Sequence, residues 1–308
     1  MTQKRRCRVD SETILADRAA LIAVAEDLVP SLNGASAQRF AEALELAAAG
    51  AIEQADEVWL GTAGARVMRS GSIERWRQRL DDLQAQGIEL VTVCDPTYPS
   101  NLRMVTDRPP LLFVRGALLP SDNRAIAVVG TRKPSETGAA TAYSIASELA
   151  MRQVTVVSGL AHGIDTAAHQ GALDAGGRTI AVFGTGIATV YPSGNRDLAA
   201  RLAGSGACVS QFLPDMRGTR WSFPVRNVVT SALSIGTVVV EAGETSGARI
   251  QAQDALRHAK RLFLIRSLVA SQQWASEMAN REGVVVVDSL DDVMSAIEAE
   301  LSADVVLL

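Results

Sequence analysis

The chain has 308 residues, of which 47% are hydrophobic, 21% are charged and 4% are aromatic, and its formal net charge is −4. This length and apolar content allow one large domain or two ordinary ones with a substantial core. The slight negative charge argues against a protein that coats nucleic acid through bulk charge, but a local basic groove is compatible with it.

The termini and the cysteines indicate a reduced, cytoplasmic protein. The first six residues are basic without a following apolar run, and no segment approaches the length of a membrane span, so we expect no signal peptide and no membrane association. Cys7, Cys94 and Cys208 are far apart and lack metal-ligand spacing, which predicts neither a disulfide nor a zinc site. The three histidines, His162, His169 and His258, are too dispersed for a metal site.

The N-terminal part of the chain, up to about residue 86, has the apolar periodicity of helices. Helical patterns cover residues 13–28, 36–48 and 73–86, and the first strand pattern covers residues 88–93. Residues 95–116 carry four prolines and end in an apolar run, which predicts an extended strap between a helical module and the main domain.

From residue 125 onward, strand and helix patterns alternate. Strands are predicted at residues 125–129, 154–157, 179–183, 207–210, 237–241, 261–265 and 284–287. Helices are predicted at residues 137–151, 164–175, 195–203, 227–233, 246–258 and 272–281, with a final amphipathic pattern at 290–301. This alternation of strands and helices predicts the α/β class, with a doubly wound, mostly parallel sheet and binding loops at its carboxyl edge.

The most informative segment runs from residue 157 to residue 169, out of a β-branched strand, through Gly159 and Gly163, and into an Ala-rich helix. Such a turn presents backbone N–H groups and a positive helix end, which suit a phosphate or another anion. Glycine-rich loops also follow the neighbouring strands, at residues 130–135, 184–186 and 242–247. Because these strand ends lie side by side, glycines, hydroxyl groups and the cations Arg132 and Arg226 are expected on one rim that fits a sugar–phosphate ligand.

The candidate cations also have plainer structural interpretations. Arg132 is alternatively a solvated loop arginine, and His162 is alternatively a turn residue without a partner. Arg226 alternatively forms a structural ion pair with Glu241 or Asp215. These alternatives stay open at the level of the sequence.

For other polar residues the structural interpretation is favoured. His169 lies in a helix and is more typical of packing or hydrogen bonding than of catalysis. Residues 184–186 read Gly-Thr-Gly, which is more typical of a tight turn than of a binding loop. Glu241 and Glu244 are more typical of ion-pair or capping residues than of acid–base catalysts. Phe223 fits a core or hinge position as well as a face for base stacking.

Seven motifs occur in a fixed order. They are Tyr98-Pro99 with Leu102, residues 109–116, Val129-Gly130-Thr131-Arg132 with Ser135, residues 158–165 with Ala168-His169, Gly184-Thr185-Gly186 with Tyr191-Pro192 and Asn195, Phe223-Pro224 with Arg226-Asn227, and Val240-Glu241-Ala242 with Ser246-Gly247. Together they resemble the DNA-processing protein A family (DprA, also called Smf), from the helical N-terminal part to about residue 265.

The resemblance implies an extended Rossmann-like domain that binds single-stranded DNA, protects incoming strands and loads a RecA-type recombinase during natural transformation. It implies a homodimer without catalytic activity, cofactor or metal. The chain is divided accordingly into a helical accessory docking module (residues 1–94), the strap (95–120), the Rossmann-like DNA-binding domain (121–288) and a C-terminal helix and tail (289–308). The expected DNA- and phosphate-binding residues are Thr131, Arg132, Lys133, Ser158, Gly159, His162, Gly163, Arg226, Asn227, Ser246 and Gly247.

The chain departs from the family pattern at several positions. His162, Ser193 and Val228 stand where basic residues are usual, and residues 266–269 replace a Pro-Gly loop. No winged-helix module is expected after the last helix. Each missing cation is expected to flatten the salt dependence of DNA binding.

Two other classes of function are alternatives to this interpretation. A Rossmann-like nucleotide sensor or nucleotide-processing enzyme, related to the lysine-decarboxylase-like phosphoribohydrolases, needs fewer cations, but residues 241–247 lack the Gly-Gly-x-Gly-Thr signature of those hydrolases. An NAD(P)-dependent dehydrogenase is disfavoured because residues 130–135 lack G-x-G-x-x-G and no catalytic Tyr–Lys pair is evident.

Overall fold

The computed structural model describes residues 10–29 and 34–305, so the predictions for residues 1–6 and for Cys7 lie outside the described residues. The chain divides into two compact units. The first contains the residues up to Tyr98 and the segment Thr106–Phe113, and the second contains Pro99–Val105 and the chain from Val114 onward.

The first unit is mainly helical. Its elements are α1 (Ser11–Ala16), α2 (Arg18–Leu28), α3 (Gly34–Ala48), α4 (Gln54–Ser70), α5 (Ser72–Ala85) and β1 (Ile88–Thr92). The single helix predicted for residues 13–28 is wrong, because Asp17 is extended (φ −123°, ψ 110°) and separates α1 from α2. The Asp17 carboxylate accepts a hydrogen bond from the Ala19 backbone N–H at 2.8 Å, which caps α2.

The predicted strap contains regular structure. A short helix, α6 (Ser100–Arg103), is followed by strand β2 (Leu111–Gly116), whose first four residues are buried. The apolar run at the end of the strap is therefore a buried strand. Its role as a connector stays a prediction, as do the domain boundaries.

The second unit alternates strands and helices from residue 125 onward. Its strands are β3 (Ala125–Val129), β4 (Thr155–Ser158), β5 (Thr179–Val182), β6 (Ala207–Ser210), β7 (Gly236–Val239), β8 (Arg261–Ile265) and β9 (Val284–Val287). Its helices are α7 (Glu136–Met151), α8 (Ile164–Asp174), α9 (Arg196–Ser205), α10 (Ser222–Ala232), α11 (Gly247–Arg257), α12 (Arg266–Ser271), α13 (Gln273–Met278) and α14 (Leu290–Val305).

The seven strands of this unit lie in the order β6-β5-β4-β3-β7-β8-β9, and every neighbouring pair is parallel. The chain runs outward from β3 in one direction as far as β6, and then returns to the other side of β3 to form β7. This confirms the predicted doubly wound sheet. The reversal between β3 and β7 is the switch point at which such sheets bind ligands.

Both faces of the sheet are covered by helices. Ile126 and Val128 of β3 pack with the buried face of α7 on one side, and Val129 and Val239 pack with α11 on the other. Burial on both faces explains why these strands are almost continuously apolar and rich in β-branched residues.

Two helices differ from the predictions. Helix α10 begins at Ser222, five residues before the predicted start, because Pro224 lies in the first turn, where a missing N–H costs no intrahelical hydrogen bond. Helix α12 was not predicted, because its six residues are too few to show a helical period.

Candidate nucleic-acid interface

An open cleft of about 770 Å³ lies at the carboxyl edge of the sheet. The loops that follow β3, β4, β5, β6 and β7 all contribute to its lining. The sequence-based expectation that these loops share one rim is therefore confirmed by the geometry.

The loop after β3 is held at both of its sides. The Thr131 backbone N–H donates to the Glu241 carbonyl oxygen at 2.6 Å, and the Thr131 carbonyl accepts from the Ile164 N–H at 3.2 Å. Gly163 has φ +80°, and a Cβ atom there would lie 2.5 Å from the Thr131 carbonyl oxygen. Glycine is thus required for the loops after β3 and β4 to approach each other. The side chains of Arg132 and Lys133 are exposed on this fixed loop.

Glu241 fixes the start of α7. One oxygen of its carboxylate accepts hydrogen bonds from the Ser135 backbone N–H at 3.0 Å and from the Ser135 hydroxyl at 2.9 Å. The Ser135 Oγ atom in turn accepts from the Gly138 N–H at 2.9 Å. A negative group at a helix N-terminus is stabilising. The capping interpretation of Glu241 is confirmed.

Arg226 lies in the floor of the cleft and is buried, with only 7% of its surface exposed. Its Nη1 atom donates to the carbonyl oxygens of Gly159 at 2.5 Å and Val182 at 2.6 Å, which lie just beyond β4 and at the end of β5. A Cβ atom on Gly159 would lie 2.0 Å from Nη1, so the guanidinium occupies the space that glycine leaves open. Burial lowers the pKa of Arg226.

Asp165 is the acidic residue whose charge acts on Arg226. Its carboxylate accepts from the backbone N–H groups of Gly159 at 3.1 Å and Ala161 at 3.3 Å. Burial raises the pKa of Asp165, and the Arg226 charge opposes that rise. The alternative in which Arg226 forms an ion pair with Glu241 is wrong, because the Glu241 carboxylate accepts hydrogen bonds from Ser135 instead.

One end of the cleft combines aromatic rings with positive charge. The rings of Tyr191 and Phe223 lie 5.4 Å apart at 46°, and the Arg132 guanidinium lies 5.4 Å from the Phe223 ring centre. His162 lines a small adjoining cavity of about 70 Å³ with these three residues. Because Phe223 is half-buried and faces the cleft, it is placed to offer a face to a planar ligand.

The predicted binding residues converge on this cleft with few exceptions. Eight of them line it: Thr131, Arg132, Lys133, Gly159, Arg226, Asn227, Ser246 and Gly247. His162 lines the adjoining cavity. Ser158 and Gly163 line neither, since the buried Ser158 hydroxyl donates to the Val128 carbonyl at 2.7 Å and Gly163 spaces the two loops. The binding roles of all these residues stay predictions.

The part of the cleft that α11 lines carries no charged side chain. Ser246 caps α11, because its Oγ atom accepts from the Ala248 N–H at 3.2 Å. Gln251 of the same helix lines the cleft, is 2% exposed, and has a buried Nε2 group without a hydrogen-bond partner in the described part of the chain. Sequence reasoning missed Gln251, because a glutamine inside an amphipathic helix gives no distinctive signal.

The loop between β6 and α10 was also missed. Gly218, Thr219 and Arg220 line the cleft, whereas the sequence analysis placed its candidates after this loop, from Phe223 onward. A signal was available, since residues 217–221 read Arg-Gly-Thr-Arg-Trp and interleave cations with an aromatic residue.

Two structural interpretations are confirmed away from the cleft. His169 is fully buried, and its Nδ1 atom lies 2.7 Å from the Thr179 hydroxyl, which itself donates to the Val156 carbonyl. Burial lowers the pKa of His169 to about 3. Residues 184–186 form a bend that precedes a turn at residues 187–188, and they do not line the cleft. A Cβ atom on Gly186 would lie 2.1 Å from the Leu213 carbonyl oxygen, so glycine is needed for this close approach.

Among residues 10–29 and 34–305, no three His, Cys, Asp or Glu side chains are grouped as metal ligands. None of the helices described is both long and apolar enough to cross a bilayer.

A parallel doubly wound sheet with an open cleft at its switch point defines the Rossmann-like class of α/β proteins. The sequence profile of the family described as "DNA recombination-mediator protein A" matches residues 89–298. The chain therefore belongs to the DNA recombination-mediator protein A family, which is the DprA/Smf family.

Individual relatives agree with this assignment. DNA processing protein DprA of Bacillus subtilis is 36% identical over 181 residues, which cover 58% of this chain and 61% of the relative's length. The crystal structure of DprA from Streptococcus pneumoniae superposes with a TM-score of 0.71 at 28% identity, covering 90% of this chain and 97% of that one. A structure of the Helicobacter pylori protein, described for its single-stranded DNA binding mode, shares the fold with a TM-score of 0.62 at 23% identity, covering 69% and 96% of the two chains.

Proposed function

We propose that the cleft binds single-stranded DNA and that the protein acts as a recombination mediator. In this role it protects incoming strands and loads a RecA-type recombinase during natural transformation, working as a homodimer in the cytoplasm and without catalysis. The observation that carries the proposal is the rim of the cleft, where the Arg132 guanidinium lies over the Phe223 ring, Tyr191 packs against Phe223, and Lys133 follows Arg132 in the cleft lining. Cations with adjacent aromatic faces suit a ligand made of phosphates and unpaired bases.

The charges at the rim are available to a ligand. Arg132 and Lys133 are exposed, and neither forms an ion pair with any residue that the structure describes. A few such contacts suffice, because affinity for DNA depends on the cations that meet phosphates and not on the net charge of −4.

Arg226 supports the site from below. Its guanidinium covers the carbonyl oxygens of Gly159 and Val182 at the ends of two strands. These oxygens carry partial negative charge and would otherwise repel a phosphate. Arg226 is therefore assigned an electrostatic and structural role in binding, in place of a simple surface contact.

The test is fluorescence anisotropy of a labelled single-stranded oligonucleotide, measured at several salt concentrations and against a duplex competitor. Arg132→Ala is expected to weaken binding about tenfold at low salt. The slope of log affinity against log salt should fall by about 0.7, which corresponds to one lost phosphate contact on a single strand.

Arg201→Ala is the matched control, because Arg201 is an exposed arginine paired with Asp174 and is not part of the cleft lining. This variant should bind like the wild type. Equal binding by the Arg132 and Arg201 variants would show that Arg132 does not contact the DNA. A folded wild-type protein that binds no single strand at low salt would overturn the proposal.

A second prediction concerns His162, one of the positions where a basic residue is expected from the family pattern. His162 is exposed and lines the cavity beside Arg132. His162→Arg should tighten single-strand binding several-fold and steepen the salt slope by about 0.7, because it adds a permanent charge at the rim. His162→Gln serves as the neutral control in the same titration at pH 8. An unchanged slope in His162→Arg would show that position 162 does not meet a phosphate.

A small nucleotide is the second candidate ligand. The unpartnered Gln251 amide favours it, because a buried amide of this kind fits the donors and acceptors of a base. Competition of mononucleotides with the labelled oligonucleotide tests this alternative. Displacement at micromolar mononucleotide concentration would support a nucleotide sensor, and displacement only by oligonucleotides would support the mediator.

A further inference from the structure

The loop between β6 and α10 carries a second group of cations and an aromatic ring beside the cleft. Residues 211–221 contain two arginines and one acidic residue. Arg217 and Arg220 are exposed, and neither has an ion-pair partner in the described part of the chain. Arg220 also lines the cleft, so the charge of this loop is continuous with the site described above.

Trp221 gives this loop an exposed aromatic face. It is 42% exposed, although tryptophan is a residue that folding normally buries. Its ring meets the buried Phe212 ring edge-on, with ring centres 5.7 Å apart and planes at 79°. The indole is thus held in position by one contact and still presents surface to solvent.

The loop is anchored along its length. The Met216 carbonyl accepts from the Gly186 N–H at 2.8 Å, and the Pro214 carbonyl accepts from the Ala188 N–H at 3.0 Å. At the end of the loop, the Ser222 hydroxyl donates to the Gly184 carbonyl at 2.6 Å. A loop tied down in this way loses little conformational entropy when a ligand binds.

We propose that the loop of residues 211–221 extends the binding track for single-stranded DNA beyond the cleft. A strand leaving the cleft at Arg220 would place a phosphate near Arg217 and stack a base on Trp221. Stacking tolerates any base, because every base has a π-face. This inference rests on the proposed function, since it assumes that the cleft itself holds the strand.

Intrinsic fluorescence provides a direct readout. The chain has four tryptophans, and Trp76 and Trp274 are buried at 6% and 3% exposure. Wild-type protein titrated with an unlabelled oligonucleotide of about twenty nucleotides should lose part of its tryptophan emission as a base stacks on Trp221. Trp221→Phe should abolish most of this quenching and keep most of the affinity. Trp59→Phe, in the first unit, should keep the quenching.

Oligonucleotide length separates the loop from the cleft. Trp221→Ala should weaken binding of the long oligonucleotide about tenfold and leave an oligonucleotide of about four nucleotides unaffected. The pair Arg217→Ala and Arg220→Ala should flatten the salt slope for the long oligonucleotide by about 1.4. Circular dichroism checks that each variant is folded.

The outcomes distinguish the two proposals. If Arg132→Ala weakens binding but the loop variants change neither affinity, slope nor fluorescence for the long oligonucleotide, the track does not extend over this loop and the proposed function stands. If the folded wild type binds neither oligonucleotide, both proposals are overturned.

Discussion

Replacing Arg226 with methionine is expected to lower the free energy of unfolding by about 3–5 kcal/mol. The substitution removes the positive charge that stabilises the buried Asp165 carboxylate and leaves that carboxylate with its backbone hydrogen bonds but no counter-charge. It also removes the donor that serves the carbonyl oxygens of Gly159 and Val182. Both losses fall on buried groups, and a buried donor or acceptor that loses its partner costs free energy.

A double-mutant cycle tests this account. Urea unfolding followed by circular dichroism would be measured for Arg226→Met, Asp165→Asn and the double variant. The double variant should be more stable than the sum of the two single losses predicts, by at least about 1 kcal/mol, because Asp165→Asn removes the uncompensated charge. Arg132→Met is the matched control and should change stability by less than about 0.5 kcal/mol, since Arg132 is exposed.

Equal stability of the Arg226 and Arg132 variants would contradict the assignment of Arg226 to the scaffold. The stability of Arg226→Met also determines what a loss of DNA binding in this variant means. If Arg226→Met is destabilised as expected, any loss of DNA binding in that variant reports a distorted turn after β4 and does not demonstrate a phosphate contact.

Lowering the pH from 7 to 5 is expected to cost the protein about 2 kcal/mol of stability through His169 alone. The pKa of His169 falls to about 3 in the folded protein because the ring is buried, whereas an unfolded histidine titrates near its ordinary value of 6.5. The unfolded state therefore binds more protons than the folded state at any pH between these values. The contribution of His169 to the free energy of unfolding is present in full above about pH 6.5. It is lost progressively as the pH falls toward 3.

His169→Gln isolates this contribution, because glutamine retains an amide donor for the Thr179 hydroxyl and does not titrate. Urea unfolding gives the free energy of unfolding of both proteins at pH 7 and at pH 5. The decrease between the two pH values should be about 2 kcal/mol smaller in the variant than in the wild type. Contributions from other groups, including the buried Asp165, are shared by the two proteins and cancel in the comparison. Equal losses in the two proteins would show that His169 is protonated in the folded state at pH 5.

The sheet and its rim were predictable because their signals are local. Runs of β-branched and apolar residues marked β3, β6, β8 and β9 at the bounds that the structure has. Glycines and hydroxyl residues directly after the strands marked the loops, and parallel topology then requires these loops to meet.

The role of Arg226 was not predictable, because it depends on a residue 67 positions away. In the sequence, an arginine after an aromatic–proline pair has the pattern of an accessible cation. In the structure, the guanidinium occupies the space that Gly159 leaves open because it has no side chain. Gln251 and Arg220 were missed for a related reason. Gln251 faces the cleft because of the way α11 packs, and Arg220 faces it because of the path of an irregular loop. Neither feature produces a periodic pattern in the sequence.

The pairing of β3 with β7 has a consequence for synthesis of the chain. The two strands are neighbours in the sheet. Glu241, two residues after β7, accepts a hydrogen bond from Ser135, which lies 106 residues earlier in the chain. While the polypeptide emerges from the ribosome, β3 can pair with β4, but its other edge has no partner until β7 is made. That edge belongs to a fully buried strand, so a nascent or truncated chain exposes an unpaired apolar edge of the kind that promotes aggregation. Correct folding of this domain is therefore a late event in its translation, and the rim of the cleft closes only then.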